Sequence, residues 1–192
     1  MIDLRTTRLL IWLLCAAPMA DLFTRAFTHQ LGANPQEALL RATGLWCLTI
    51  LLVTLGVTPL RRLLDWPELV RLRRMLGLWA FAYAVLHLLG FWAFEHEFDW
   101  IAVFKDGAQR PFVTVGLICF ALLLPLAATS NQLALRRLGA AWKRLHRLVY
   151  LIAVLALVHF FLHRAGKSNF ADPLIATGLT GLLLWLRIYP RK

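Results

Sequence analysis

The chain has 192 residues, 60% of them hydrophobic and only 16% charged, with a mean hydropathy of +0.66. A soluble domain of this size carries more polar surface, and the apolar residues here form blocks close to bilayer-spanning length, which excludes a soluble enzyme. The net charge of +11 does not point to nucleic acid, because the basic residues sit in short segments between apolar blocks, where membrane topology accounts for them.

Hydropathy predicts six spans, at residues 9–27, 42–60, 75–94, 112–128, 148–163 and 173–189. The expected fold is therefore an all-α membrane protein, a six-transmembrane-helix bundle forming a single domain over residues 1–192. Arg5 and Arg8 precede the first apolar run as in a signal peptide, but Pro18 and Asp21 interrupt it and more spans follow. The first span is read as an uncleaved helix. Pro18 and Pro125 fall inside spans, as potential kinks. Pro59, Pro111 and Pro173 fall at span edges, where proline disrupts least. The pattern shows no low-complexity segment and no clear internal repeat. Cys15, Cys47 and Cys119 each lie inside an apolar block with no Cys-x-x-Cys pairing, and read as small buried hydrophobes. Trp66, Trp92, Trp100, Trp142 and Trp185 lie near span ends, where tryptophan anchors a helix to the membrane interface.

The distribution of charge orients these spans. Two basic residues precede the first span, five lie in 61–74, five in 136–147 and three follow position 186, placing fifteen of the 21 Lys and Arg on one side. The other side holds Arg25, Arg41, Lys105, Arg110, Arg164 and Lys167, with seven of the ten acidic residues. The first side is therefore expected to be cytoplasmic, with both termini inside, in the bacterial inner membrane.

Histidine is costly inside a bilayer and normally faces a partner. His87 lies about twelve residues into the third span, or ~18 Å deep from the cytoplasmic end at the rise of a helix. His159 lies thirteen residues after His146 in the fifth span, or ~20 Å further along, which places it at a depth similar to that of His87. Two neutral imidazoles at one depth on different helices form the axial pair that haem iron accepts. His146, near the cytoplasmic face, marks a second, inner site. Arg73, fourteen residues before His87, returns to within ~40° of the same helix face; it and Arg74 occupy the level where a fourth histidine would stand. Arginine there can hold a haem propionate or, less conventionally, approach the iron. The thirteen-residue spacing of His146 and His159 is off by ~140° on an ideal helix, so both face one interior only with tilt or a local bulge. A membrane histidine also serves as plain interhelical glue. His146 beside Arg144 and Arg147 could simply be solvated. His29, His96 and His163 lie at or beyond the outer interface, although His163 shares a helix face with His159. The basic segments 61–74 and 136–147 read first as topology signals, and second as places for haem propionates or a flavin phosphate.

Taken in order, Arg73-Arg74-Met75-Leu76-Gly77-Leu78 leading to Tyr83 and His87, then Arg110-Pro111-Phe112-Val113-Thr114-Val115-Gly116, Thr129-Ser130, Leu138-Gly139, Trp142, Leu145-His146-Arg147-Leu148-Val149-Tyr150 and His159-Phe160 resemble a known family. It is the MsrQ family, the haem-binding membrane subunits of bacterial periplasmic methionine sulfoxide reductase systems, within the ferric reductase-like transmembrane group that includes the NADPH oxidases. The resemblance covers nearly the whole chain; order and spacing carry it, not any one motif. It implies haem b, one or two per chain, with His87, His146 and His159 at the family's ligand positions, and FMN as a further candidate cofactor. It implies electron transfer from the quinone pool or a cytoplasmic flavin reductase to a periplasmic molybdopterin-containing partner, which itself reduces oxidised methionine in exported proteins. Where the oxidases carry a fourth histidine this chain has Arg73, so the haem count and the inner site's second ligand stay open. The oxidases' flavin and nicotinamide domain is not in this sequence, so a separate donor is expected. Two alternatives remain: a self-sufficient ferric or quinone reductase, and a cofactor-free polytopic protein whose histidines are packing groups. The acidic outer segment 95–110 is the expected docking surface for a periplasmic partner.

Overall fold

A computed structural model of the chain describes residues 3–166 and 170–188. The described residues are helices and connecting turns, and six helical stretches are long and apolar enough to cross a membrane. The six expected spans are all present. The end of the sixth at Tyr189, together with Lys167, Arg191 and Lys192 of the charge count, lies outside the described residues. The residues cluster into two compact units that divide between Phe98 and Asp99.

The first unit contains α1 (Leu4–Phe27), α2 (Pro35–Leu63) and α3 (Leu72–His96), with a 3₁₀ turn at Pro67–Arg71 before α3. Asn34 starts α2: its side chain accepts from the Glu37 N–H at 3.1 Å, and Pro35 takes the first helical position, where a missing N–H costs nothing. Pro59, expected at a span edge, lies inside α2, which continues to Leu63. The physical reason is length. At 29 residues α2 is ~44 Å long, so its last turns carry Arg61 and Arg62 beyond a hydrocarbon core of ~30 Å. The α2–α3 pair forms the core of this unit, with Leu48, Leu51, Leu52 and Leu55 buried on one helix and Leu72, Leu76, Ala80 and Tyr83 on the other. Tyr83 is fully buried, and its hydroxyl donates to the Cys15 carbonyl of α1 at 2.8 Å, the partner a buried phenol requires. Trp12 and Trp79 meet edge to face at 5.4 Å on the same seam. Leu14 at 70% and Phe27 at 83% exposure leave the outer side of α1 too apolar for water, as a lipid-facing helix requires.

The second unit contains α4 (Trp100–Gln109), α5 (Pro111–Ala128), α6 (Gln132–Leu138), α7 (Ala140–His146), α8 (Leu148–Ala165) and α9 (Ala171–Ile188). The α5–α8 pair is its centre. Helices α4, α6 and α7 occupy segments that hydropathy treats as loops. Asp99 caps α4 through the Ile101 N–H at 2.7 Å, and Asn131 caps α6 through the Ala134 N–H at 2.8 Å. The Thr114 hydroxyl donates to the Gly107 carbonyl and fastens α4 to α5. The Trp142 indole donates to the Thr129 carbonyl at 2.9 Å and fastens α7 to the end of α5. On the other flank, Arg164 of α8 is buried and holds Asp172 of α9 at 2.6 Å. Pro173, expected at a span edge, is in the first turn of α9, where proline is tolerated.

The fifth span is continuous in length, Ala140–Ala165, but its helix is interrupted at Arg147. The Arg147 N–H bonds to the Arg144 carbonyl and the Tyr150 N–H to the Arg147 carbonyl, both at three-residue separation. A 3₁₀ turn winds ~20° more per residue than an α-helix. Three such residues take the ~140° misalignment of His146 and His159 down to ~80°. The turn narrows the misalignment without removing it.

Candidate haem site

The first unit carries His87 and Arg73 on α3. The second carries His146 at the end of α7 and His159 on α8. His87 Nδ1 lies 3.0 Å from the Leu40 carbonyl of α2, with Thr43 Oγ1 at 3.3 Å. His159 Nδ1 lies 2.7 Å from the Phe112 carbonyl of α5. His146 Nδ1 lies 3.1 Å from the Trp142 carbonyl one turn earlier, and its ring stacks on the Trp142 indole at 3.8 Å. A carbonyl can only accept, so in all three residues Nδ1 carries the proton and Nε2 becomes the lone-pair nitrogen. A metal-ligating histidine is held in this way, with one ring N–H tied to a backbone carbonyl, which fixes the ring's tautomer and orientation. His96 and His163 instead present their rings to Phe91 and Phe112, at 4.7 and 5.5 Å, and His29 is exposed at a turn with φ 56°.

The arrangement of His87 recurs at His159 after a shift of 72 residues. Leu40, Gly44 and His87 correspond to Phe112, Gly116 and His159, and each histidine follows its glycine by 43 positions. The sequence Gly44-Leu45-Trp46-Cys47 becomes Gly116-Leu117-Ile118-Cys119 under the same shift. The expectation of no internal repeat is therefore corrected. Each unit is built on a helix pair, α2–α3 or α5–α8, that presents one histidine against the partner helix's backbone. The repeat escapes notice because its shared residues are few and scattered: a glycine, a cysteine, a carbonyl-bonded histidine and a handful of leucines and an alanine that any apolar helix could carry. The matching interval of 43 residues between glycine and histidine was the available signal.

Arg73 and Arg74 differ in burial. Arg74 is exposed, whereas Arg73 is half-buried and its Nε is buried with no hydrogen-bond partner among the described residues. A buried guanidinium nitrogen without a partner calls for an acceptor, and a carboxylate of haem is one. The described residues hold no group of three or more His, Cys, Asp and Glu suited to a bare metal ion. Single histidines and a half-buried arginine fit haem better than a bare ion, since a porphyrin brings its own four nitrogens.

Comparison with known proteins agrees with this chemistry. The family described as ferric reductase like transmembrane component matches residues 40–157. The chain belongs to this family. The match begins at the residue whose carbonyl holds His87, includes His146 and ends two positions before His159. Among curated ferric reductase-like relatives, the protein-methionine-sulfoxide reductase heme-binding subunit MsrQ of Polaromonas naphthalenivorans is 50% identical over 94% of this chain and 83% of its own length. MsrQ of Ralstonia nicotianae is 46% identical over 97% of this chain and 87% of its own. MsrQ of Caulobacter vibrioides is 47% identical over 92% of this chain and 84% of its own. No solved structure matches the chain.

Proposed function

We propose that the chain is the haem b-holding membrane subunit of a protein-methionine-sulfoxide reductase system, a single membrane domain of the bacterial inner membrane with both termini in the cytoplasm. It passes electrons from the quinone pool or a cytoplasmic flavin reductase to a periplasmic molybdopterin-containing partner, on which sulfoxide reduction occurs. The observation that carries this reading is the repeated bond from histidine Nδ1 to a backbone carbonyl, at 3.0 Å for His87 and 2.7 Å for His159. The relatives' names, heme-binding subunits of a protein-methionine-sulfoxide reductase, support the haem and the sulfoxide-reducing partner.

In this reading His87, His159 and His146 would be the haem ligands, each through Nε2, and Arg73 would hold a haem propionate or serve as a further ligand. Haem, when bound, would supply reversible one-electron chemistry at an iron. The chain's own residues do the rest. The Leu40 and Phe112 carbonyls hold the imidazoles in one tautomer. Arg73 offers positive charge to a carboxylate at the cytoplasmic end. The basic residues of 61–74 and 136–147 offer phosphate contacts to FMN or to a docked flavin reductase. The test is to reduce the purified haem-loaded protein chemically, remove excess reductant, and add the partner reductase with a methionine sulfoxide substrate. Haem reoxidation that requires both additions supports the reading. Rapid reoxidation by soluble ferric chelates, with none by partner and substrate, would favour a self-sufficient reductase.

A further inference from the structure

The two helix pairs place a glycine directly under each histidine ring. A Cβ built on Gly44 would stand 3.1 Å from His87 Cε1 and 3.2 Å from its Nδ1; on Gly116 it would stand 2.9 Å from His159 Cε1 and 3.0 Å from its Nδ1. In an α-helix the carbonyl of residue i is bonded by the N–H of residue i+4, and the side chain of i+4 stands beside that carbonyl. Leu40 and Phe112 are the residues four before Gly44 and Gly116. A bare i+4 position opens the carbonyl's second lone pair to a group approaching from the neighbouring helix, and His87 and His159 are those groups.

We propose that Gly44 and Gly116 are positioning residues for haem ligation. By leaving the Leu40 and Phe112 carbonyls open, they hold His87 and His159 as strong Nδ1–H donors and so keep the haem's reduction potential low. The inference rests on the reading of these histidines as axial ligands. A donated Nδ1–H makes the imidazole more basic at Nε2, which stabilises the oxidised iron. The two sites are not equal. His159 has the shorter bond and the tighter glycine contact. His87 has a longer carbonyl bond and a second oxygen, Thr43 Oγ1, whose own proton is shared between the Leu39 carbonyl at 2.8 Å and the Leu40 carbonyl at 3.1 Å, so the Leu40 carbonyl is less open than that of Phe112. The position equivalent to Thr43 in the second unit is Val115, whose side chain can accept nothing.

The test is a redox titration of the purified haem-loaded protein, with low-spin ferric electron paramagnetic resonance and haem per chain, for Gly116→Ala, Gly44→Ala and Thr43→Val. Gly178→Ala, where a Cβ meets nothing within 4 Å, is the control. The expected result is a rise in midpoint potential and a changed g-tensor, largest for Gly116→Ala, smaller for Gly44→Ala and smallest for Thr43→Val, with the control at wild type. If Gly116→Ala loses haem or fails to fold, Gly44→Ala and Thr43→Val decide by the same readouts. Wild-type potentials and g-values in haem-replete variants would overturn the proposal. Retention of all haem in His87→Ala and His159→Ala would instead overturn the ligand assignment beneath it, so the two failures are distinguishable.

Discussion

The Arg164–Asp172 contact sets a measurable asymmetry in stability. The Arg164 side chain is 9% exposed, and the Asp172 carboxylate 2.6 Å from it is 52% exposed. Breaking a fully buried pair from one side costs ~3–5 kcal/mol, because a charge is left without compensation. Half of the carboxylate is solvated here, and exposed pairs contribute only ~0–1 kcal/mol, so the expected cost of Asp172→Asn lies between, at ~1–2 kcal/mol. For a chain of this length that is a fall in melting temperature of ~2–8 °C, taking the soluble-protein scale. Arg164→Met removes the buried charge itself and leaves an apolar side chain against Phe160, whose ring lies 5.7 Å from the guanidinium carbon. It should cost less, and the double variant should melt near Arg164→Met rather than below Asp172→Asn. Thermal melting in detergent, followed by circular dichroism, measures all four proteins. Wild-type melting of Asp172→Asn, or a double variant that loses the sum of both single losses, would refute the reasoning.

Tyr83→Phe removes the hydroxyl that ties α3 to the Cys15 carbonyl of α1 and should lower stability by ~1 kcal/mol, read in the same melting assay. Arg73→Leu should alter haem content or the haem spectrum, whereas Arg74→Leu, at an exposed position, should leave both at wild type. Charge reversal at Glu95 and Glu97, both exposed, should slow haem reoxidation by the partner at low salt without changing haem content. Asp99 and Asp106 are poor probes of docking, since one caps α4 and the other pairs with Arg110, so their reversal would damage the fold.

The six spans were legible because each is a hydrophobic run long enough to need a bilayer, a property of composition rather than of packing. The short helices α4, α6 and α7 were not, α7 forming the first turns of the Ala140–Ala165 stretch. α6 and α7 are set by the Asn131 cap and by Gly139 at φ 50°, and polar helices of seven residues leave no mark in a hydropathy window. The break at Arg147 has no proline or glycine to announce it, yet the His146–His159 spacing showed that some irregularity was needed. The three histidines could be chosen by depth and type. Their acceptors could not, because a backbone carbonyl has no letter in the sequence. Helix arithmetic placed Arg73 near the face of His87, and burial now separates it from Arg74, a distinction that spacing alone left open.

The most direct test of the account is the reduced-minus-oxidised spectrum and pyridine haemochrome of the purified protein, for wild type, His87→Ala, His159→Ala and His146→Ala. The account predicts a b-type spectrum in the wild type, loss of one haem in both His87→Ala and His159→Ala, and loss of any remaining haem in His146→Ala. Absence of haem from the wild type, or haem unchanged in all three variants, would contradict it and leave the histidines as hydrogen-bonding groups between helices.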